Sequence, residues 1–162
     1  MAVDVEIDVD LLKSEIKNTY ASVSEEPGRD FIFPTGRPWA EDLGSGAGTD
    51  SLVAAQMVGA DGSVTGVDMT PQMLAKASAA AAEMGATNVT FVEAEAEQLP
   101  FTDASFEVVI SNGVIDLIPD KDAVFSELHR VLAPGGRLQI ADVTIQNPVS
   151  AEGRRNIDLW TG

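Results

Sequence analysis

Gly44, Gly46 and Gly48 alternate through the stretch "DLGSGAGTDSL", between Asp42 and an expected helix that starts near Thr49. Glycine lets a backbone approach a ligand closely, and the helix that follows offers unpaired N–H groups at its first turn. A dinucleotide fingerprint requires Gly or Ala at position 49. Thr49 stands there instead, so the pattern, with Asp42 and Ser45 included, favours a nucleoside ligand without a pyrophosphate over NAD or FAD. A glycine turn that holds no ligand is the plain alternative. Asp68, followed by Met69, lies about 20 residues beyond the loop, the usual distance for an acid that accepts hydrogen bonds from both ribose hydroxyls. A capping or solvated Asp is the competing reading. In "EAEAEQLPF", Glu95 is placed to accept from an adenine amino group and the N–H of Ala96 to face a ring nitrogen, while Glu93 and Glu97 read as a solvated edge. Ser111 and Asn112, with Gly113 after them, are the candidates for orienting an acceptor beside the ligand's reactive carbon. Ser and Asn are equally common as helix caps and turn residues.

These residues matter only if the chain brings them to one place, and the pattern of elements does so. Leu11, Leu12, Ile16 and Tyr20 mark an amphipathic helix, which the turn-rich "SEEPGRDFIFPTGRP" follows. "TDSLVAAQMV" has helical spacing and ends at Gly59; "SVTGVD" is a strand. "TPQMLAKASAAAAEMG" carries an N-cap Thr70, Pro71 at the first helical position and a stop at Gly85. "NVTFVEAE" and "FEVVISN" are strands, the second with a continuous apolar centre that suits a sheet covered on both faces. "DKDAVFSELHRVL" is a helix closed by Pro134, Gly135 and Gly136, and "RLQIADV" is the last strand. Alternation of this kind predicts an α/β fold: a Rossmann-like, doubly wound, mostly parallel sheet with flanking helices and a central first strand. Ligands of such sheets bind outside the carboxyl ends of the strands, where each candidate residue lies.

At 162 residues the chain fits one domain. A formal charge of −16 and a pI near 4.1 argue against nucleic acid as a partner, because phosphate tracking needs clustered Lys and Arg. Cysteine is absent and His129 is the one histidine, so no disulfide framework, thiol nucleophile or His/Cys metal site is expected. His129 sits on a helix away from every strand exit, and Trp39 and Trp160 read as packing residues. The acidic "MAVDVEIDVDLL" lacks the positive charge of a signal peptide, and no apolar run reaches bilayer length. The expectation is a cytoplasmic protein that binds a small-molecule acceptor and engages neither nucleic acid nor membrane.

Taken together, "DLGSGAGTDSL", "VTGVDMTPQML", "AEAEQLPF", "FEVVISN" and "VLAPGGRLQIADV" resemble the class I S-adenosylmethionine-dependent methyltransferases over about residues 42–143. "GVDMTPQML" and "SNGVIDLIPDKDAVFSELHRVLAPGG" are most similar to the arsenite methyltransferase group. The resemblance implies that S-adenosylmethionine is the cofactor, with Gly44, Gly46 and Gly48 around its methionine and ribose, Asp68 on the ribose, and Glu95 with Ala96 at the adenine. It also implies three departures. Gly113 stands where arsenite methyltransferases typically carry Cys. The last two strands of the full fold are not in the sequence. "RPWAEDL" is a poor central strand, because Arg37 and Glu41 flank it and a stretch usual between "FPTGR" and the loop is missing. The expected division is residues 1–37 as helix and loop, 38–145 as cofactor-binding domain and 146–162 as a truncated tail. A weak central strand would expose the apolar edges of its neighbours, so low stability or self-association is expected. The competing readings are a catalytically inactive binding or interaction domain of the same fold and, less favoured, an NAD-dependent oxidoreductase.

Overall fold

The structure is a computed structural model and describes residues 8–25, 43–150, 152–153 and 156. Asp42, Trp39 and Trp160, with most of the "EEPGRDFIFPTGRPWAED" segment, lie outside the described residues. The elements in chain order are α1 (Val9–Glu25), α2 (Thr49–Val58), β1 (Val64–Asp68), α3 (Pro71–Met84), β2 (Val89–Glu93), β3 (Phe106–Asn112), a short 3-10 turn (Ile115–Leu117), α4 (Lys121–Val131) and β4 (Leu132–Ala141).

β1 pairs in parallel with β2 from Val64↔Val89 to Asp68↔Glu93, and β3 pairs in parallel with β4. Among the described residues, a single one joins the two pairs. Leu43 bridges Val67 on one side and Ser111 on the other, both in parallel sense. Its N–H donates to Ile110 O at 3.1 Å, and the N–H of Ser45 donates to Val67 O at 2.7 Å. The order across the sheet is therefore β2, β1, Leu43, β3, β4, with Leu43, the residue before the glycine loop, at the centre. This is the Rossmann-like α/β arrangement that the alternation of elements predicts, and the exits of all strands face the same way.

Local chemistry accounts for the element ends. Gly48 (φ 86°) precedes α2 and Gly59 (φ 72°) follows it, both in the region that only glycine enters without strain. Pro71 opens α3, and Gly85 closes it in a left-handed conformation with its N–H bonded to the carbonyls of Ala81 and Ala82. Thr70 precedes α3 as predicted but makes no side-chain cap; its hydroxyl bonds Asp68 instead. Asp120 caps α4 by accepting from Ala123 N at 3.0 Å.

The sequence pattern needs one correction at the end of α4. Pro134, Gly135 and Gly136 do not close the helix, which ends at Val131 with β4 starting at Leu132. The strand register runs from Phe106↔Leu132 to Val108↔Arg137, so residues 133–136 face Glu107 alone in a bulge. Gly136 is confined there: a Cβ would lie 2.8 Å from Ala133 O and 3.0 Å from Glu107 O.

The core sits between the sheet and α4. Leu43, Val67, Leu99 and Ile115 pack with Val124, Leu128 and Val131, which recur at helical spacing on the buried face of α4. Phe101 and Phe106 meet edge to face at 5.0 Å beside them. Arg130, on the same helix, ties down the 99–103 loop by donating to Leu99 O, Phe101 O and Asp103, and it pairs with Glu127. The Arg130 bonds hold the Glu127 carboxyl down at about 2, with a further bond from Leu99 N. Coverage of β3 is less complete than its apolar centre suggests, since Val108 remains 49% exposed.

Candidate functional site

Three chain segments converge at the carboxyl end of the strands. Gly44, Gly46 and Gly48 all have positive φ, at 71°, 49° and 86°. This alternating left-handed conformation is what the three glycines are for, since a side chain at each would be strained. Gly48 is also pressed against a neighbour: a Cβ would stand 2.8 Å from Ala77 Cβ of α3 and 3.1 Å from the Phe91 ring.

Asp68 at the end of β1 anchors the loop. One carboxylate oxygen accepts from Gly46 N at 2.9 Å, and the other accepts from Thr70 N at 2.7 Å. The carboxylate therefore fixes the glycine loop against the entry to α3, which is a second duty beside the expected ribose contact. Burial pushes its pKa up, against the bonds from Thr70 and Gly46 and the charge of Lys17. The carboxylate accepts three bonds, two from Thr70 and one from Gly46, and keeps acceptor capacity on the side that lines the cleft. A ligand hydroxyl would find an acceptor there.

Gly44, Asp68 and Met69 line an open cleft that encloses about 680 Å³ of space not filled by atoms, part of it open to solvent. Glu95 and Ala96 line the same cleft from the loop after β2. The 3-10 turn and the residues beside it form an apolar wall of Val114, Leu117, Ile118 and Pro119. Such a lining, apolar with a few convergent polar groups, is what a nucleoside-sized ligand requires.

The wall is itself clamped. Asp142, just past β4, accepts from Ile115 N at 2.9 Å and Asp116 N at 3.3 Å. Lys121 donates to the carbonyls of Ile115, Asp116 and Ile118. Burial pushes Asp116 up to about 6, with the neighbouring Asp142 carboxylate acting in the same direction.

The other predicted residues are placed differently. Ser45 is 1% exposed, and its buried Oγ has no hydrogen-bond partner among the described residues. Ser111 is 2% exposed inside the sheet beside Leu43, and the same holds for its Oγ. Asn112 bonds Asp50 at the start of α2, and burial raises the Asp50 pKa against that bond. None of Ser45, Ser111 and Asn112 lines the cleft. His129 is exposed on α4.

Sequence reading missed the roof. Lys13, Ile16 and Tyr20 of α1 line the cleft, and α1 packs against α3. Lys13 Nζ bonds Glu95 Oε2 at 2.6 Å and Glu97 Oε1 at 2.8 Å, and Lys17 Nζ reaches Glu93 Oε1 at 3.4 Å. Burial opposes the charge on Lys13, but these bonds outweigh it and raise its pKa. Glu93 and Glu97, taken from sequence as a solvated edge, are thus partners of α1. The only local signal was the stripe Leu12, Ile16, Tyr20, which marks an apolar face without naming what it covers. Among the described residues no group of His, Asp and Glu is arranged to hold a metal ion, and no helix is long and apolar enough to cross a membrane.

Known proteins share this arrangement. Residues 41–160 match the family described as "Methyltransferase domain". The arsenite methyltransferase of Halobacterium salinarum is 50% identical over 121 residues, covering 75% of this chain and 31% of that protein. The human arsenite methyltransferase is 39% identical over 136 residues, covering 75% of this chain and 35% of its own length. Among solved structures, CrArsM, an arsenic(III) S-adenosylmethionine methyltransferase from Chlamydomonas reinhardtii, superposes with a TM-score of 0.64 at 39% identity, over 85% of this chain and 52% of that one. The chain thus spans about one third of the curated relatives it matches. With the strand order, the glycine loop anchored by Asp68 and the cleft between them, these matches establish that the chain belongs to the methyltransferase domain family.

Proposed function

We propose that the chain forms the cofactor-binding part of an S-adenosylmethionine-dependent methyltransferase that acts on a small-molecule acceptor of the arsenite type. One observation carries the proposal: Asp68, half-buried at the end of β1, anchors the glycine loop and lines one cleft with Glu95 and Ala96. S-adenosylmethionine supplies a sulfonium methyl group that an already nucleophilic acceptor displaces in line, so positioning provides much of the rate. The residues present fit this cofactor. Gly44 brings backbone close to the methionine and ribose part, and Asp68 takes the ribose hydroxyls. Glu95 and the Ala96 N–H take the adenine edge, and Leu117 and Ile118 give its ring an apolar wall. Met69 completes the ribose end. In this reading Ser45, Gly46 and Gly48 shape the loop, and Ser111 and Asn112, behind the cleft wall, belong to the acceptor side; Asp42 lies outside the described residues.

The expected division into a helix and loop to residue 37, a cofactor domain over 38–145 and a tail after it belongs to the same proposal, as does a cytoplasmic location. Arsenite is the acceptor class that the relatives' names favour. No cysteine occurs in these 162 residues, so the assay of this chain supplies thiol together with arsenite. Methyl transfer from labelled S-adenosylmethionine tests this directly, with arsenite plus free thiol, selenite and phenolic acceptors offered in parallel. Transfer to arsenite alone among them supports the arsenite reading. Cofactor binding without transfer to any of them leaves a binding domain that does not turn over.

A further inference from the structure

The three glutamates at and after the end of β2 are each paired with a lysine of α1. Lys13 bridges Glu95 and Glu97 at 2.6 and 2.8 Å, and Lys17 lies 3.4 Å from Glu93, so two cations one helical turn apart on α1 meet three carboxylates spaced two residues apart. The same face of α1 carries Ile16, 4% exposed, and with Lys13 and Tyr20 it lines the cleft. Leu12, fully buried, seats the helix. Lys13 occupies Oε2 of Glu95, and Oε1 of the same carboxylate makes no bond among the described residues. The side chain of Glu95 is 54% exposed; without Lys13 little else would hold its rotamer.

We propose that Lys13 is a positioning residue that orients Glu95 toward the adenine end of the cleft and, with Lys17, latches α1 over the ligand, so that ligand residence is set by these ion pairs. This rests on the cofactor reading above. The pairs lie at the surface, where each alone contributes little, but three around one helix face act on a single motion, the lifting of α1. Exposed pairs are screened by salt, whereas the apolar seat of Leu12 and Ile16 is not. Ligand release from the wild-type chain therefore accelerates with ionic strength. The chain carries a net charge of −16 with only ten Lys and Arg, and two of these ten are committed to the Glu93, Glu95 and Glu97 carboxylates.

The test measures dissociation of S-adenosylhomocysteine from the full chain by stopped flow at about 0.05 and 0.5 M salt, where the Debye length falls several-fold. Four proteins are compared: wild type, Lys13→Met, Lys13→Arg and Glu97→Gln. Lys13→Met keeps the apolar stem and loses the charge; release about tenfold faster, with the salt response reduced to what Lys17 retains, is expected. Lys13→Arg should restore both, and Glu97→Gln should give a smaller change in the same direction. Hydrogen exchange of α1 amides in the ligand-free chain provides a second readout, with protection lower in Lys13→Met than in wild type. A wild type that binds, with Lys13→Met matching it in release rate, salt response and exchange, overturns the latch alone. A folded wild type that fails to bind overturns the cofactor reading and the latch together.

Discussion

At the scale of single residues, two glycines with similar backbone angles separate two kinds of requirement. Gly48 has φ 86° and ψ 14°, with a neighbour 2.8 Å from where a Cβ would stand; Gly85 has φ 65° and ψ 25°, with nothing within 4 Å. Alanine at either meets left-handed backbone strain of about 1 kcal/mol. At Gly48 it also forces α2 away from Ala77, which adds about 1–3 kcal/mol for overpacking. Gly48→Ala is therefore expected to lower the urea midpoint well beyond Gly85→Ala, and the two curves measured side by side decide this. Equal losses would mean that the contact with Ala77 is not maintained. Asp68 belongs to the same scale, because its two oxygens hold the N–H groups of Gly46 and Thr70 and make the loop's shape depend on one carboxylate.

At the scale of elements, the wall of the cleft carries a pH dependence with a definite sign. Asp116 is raised from 3.8 to about 6 by burial and by the bond and charge of Asp142. Its folded-state proton is held more tightly than in the unfolded chain, so the stabilising contribution is complete below about pH 4 and is lost as pH rises through 6. Lys121, whose Nζ bonds the turn's carbonyls, faces the same pair and tempers the loss. Asp116→Asn is expected to flatten the fall in melting temperature between pH 4 and 6 relative to wild type. A parallel fall in both proteins would place the titration elsewhere.

Elements were also where the sequence was most readable. α2, α3 and β3 follow their local signals closely because caps, glycines and apolar runs act within a few residues. The Pro134–Gly136 stop was misread because pairing of β4 with β3, a tertiary effect, turned a helix breaker into a bulge. In the site, Gly44, Asp68, Glu95 and Ala96 were legible from the rule that ligands sit at strand exits. Lys13 was not, since its partner Glu95 lies 82 residues away and no local pattern encodes that meeting. The expected weak central strand is reduced among the described residues to Leu43, yet its two bridges suffice to join both strand pairs.

At the scale of the whole molecule, the question is whether the cleft binds its cofactor in a chain that spans about one third of its curated relatives. Loop, strand exits and α1 surround the cleft within the described residues, and the family match from 41 to 160 contains all of them except α1. Cofactor binding should therefore be a property of this chain, whatever other segments the relatives add for their acceptors. Calorimetric titration with S-adenosylhomocysteine tests this most directly. One site of micromolar affinity is expected in the wild type, with binding lost in Asp68→Ala and weakened in Asp68→Asn, which keeps one acceptor for the loop. Absence of binding by the folded wild-type chain, or unchanged affinity in a folded Asp68→Ala, would contradict the account.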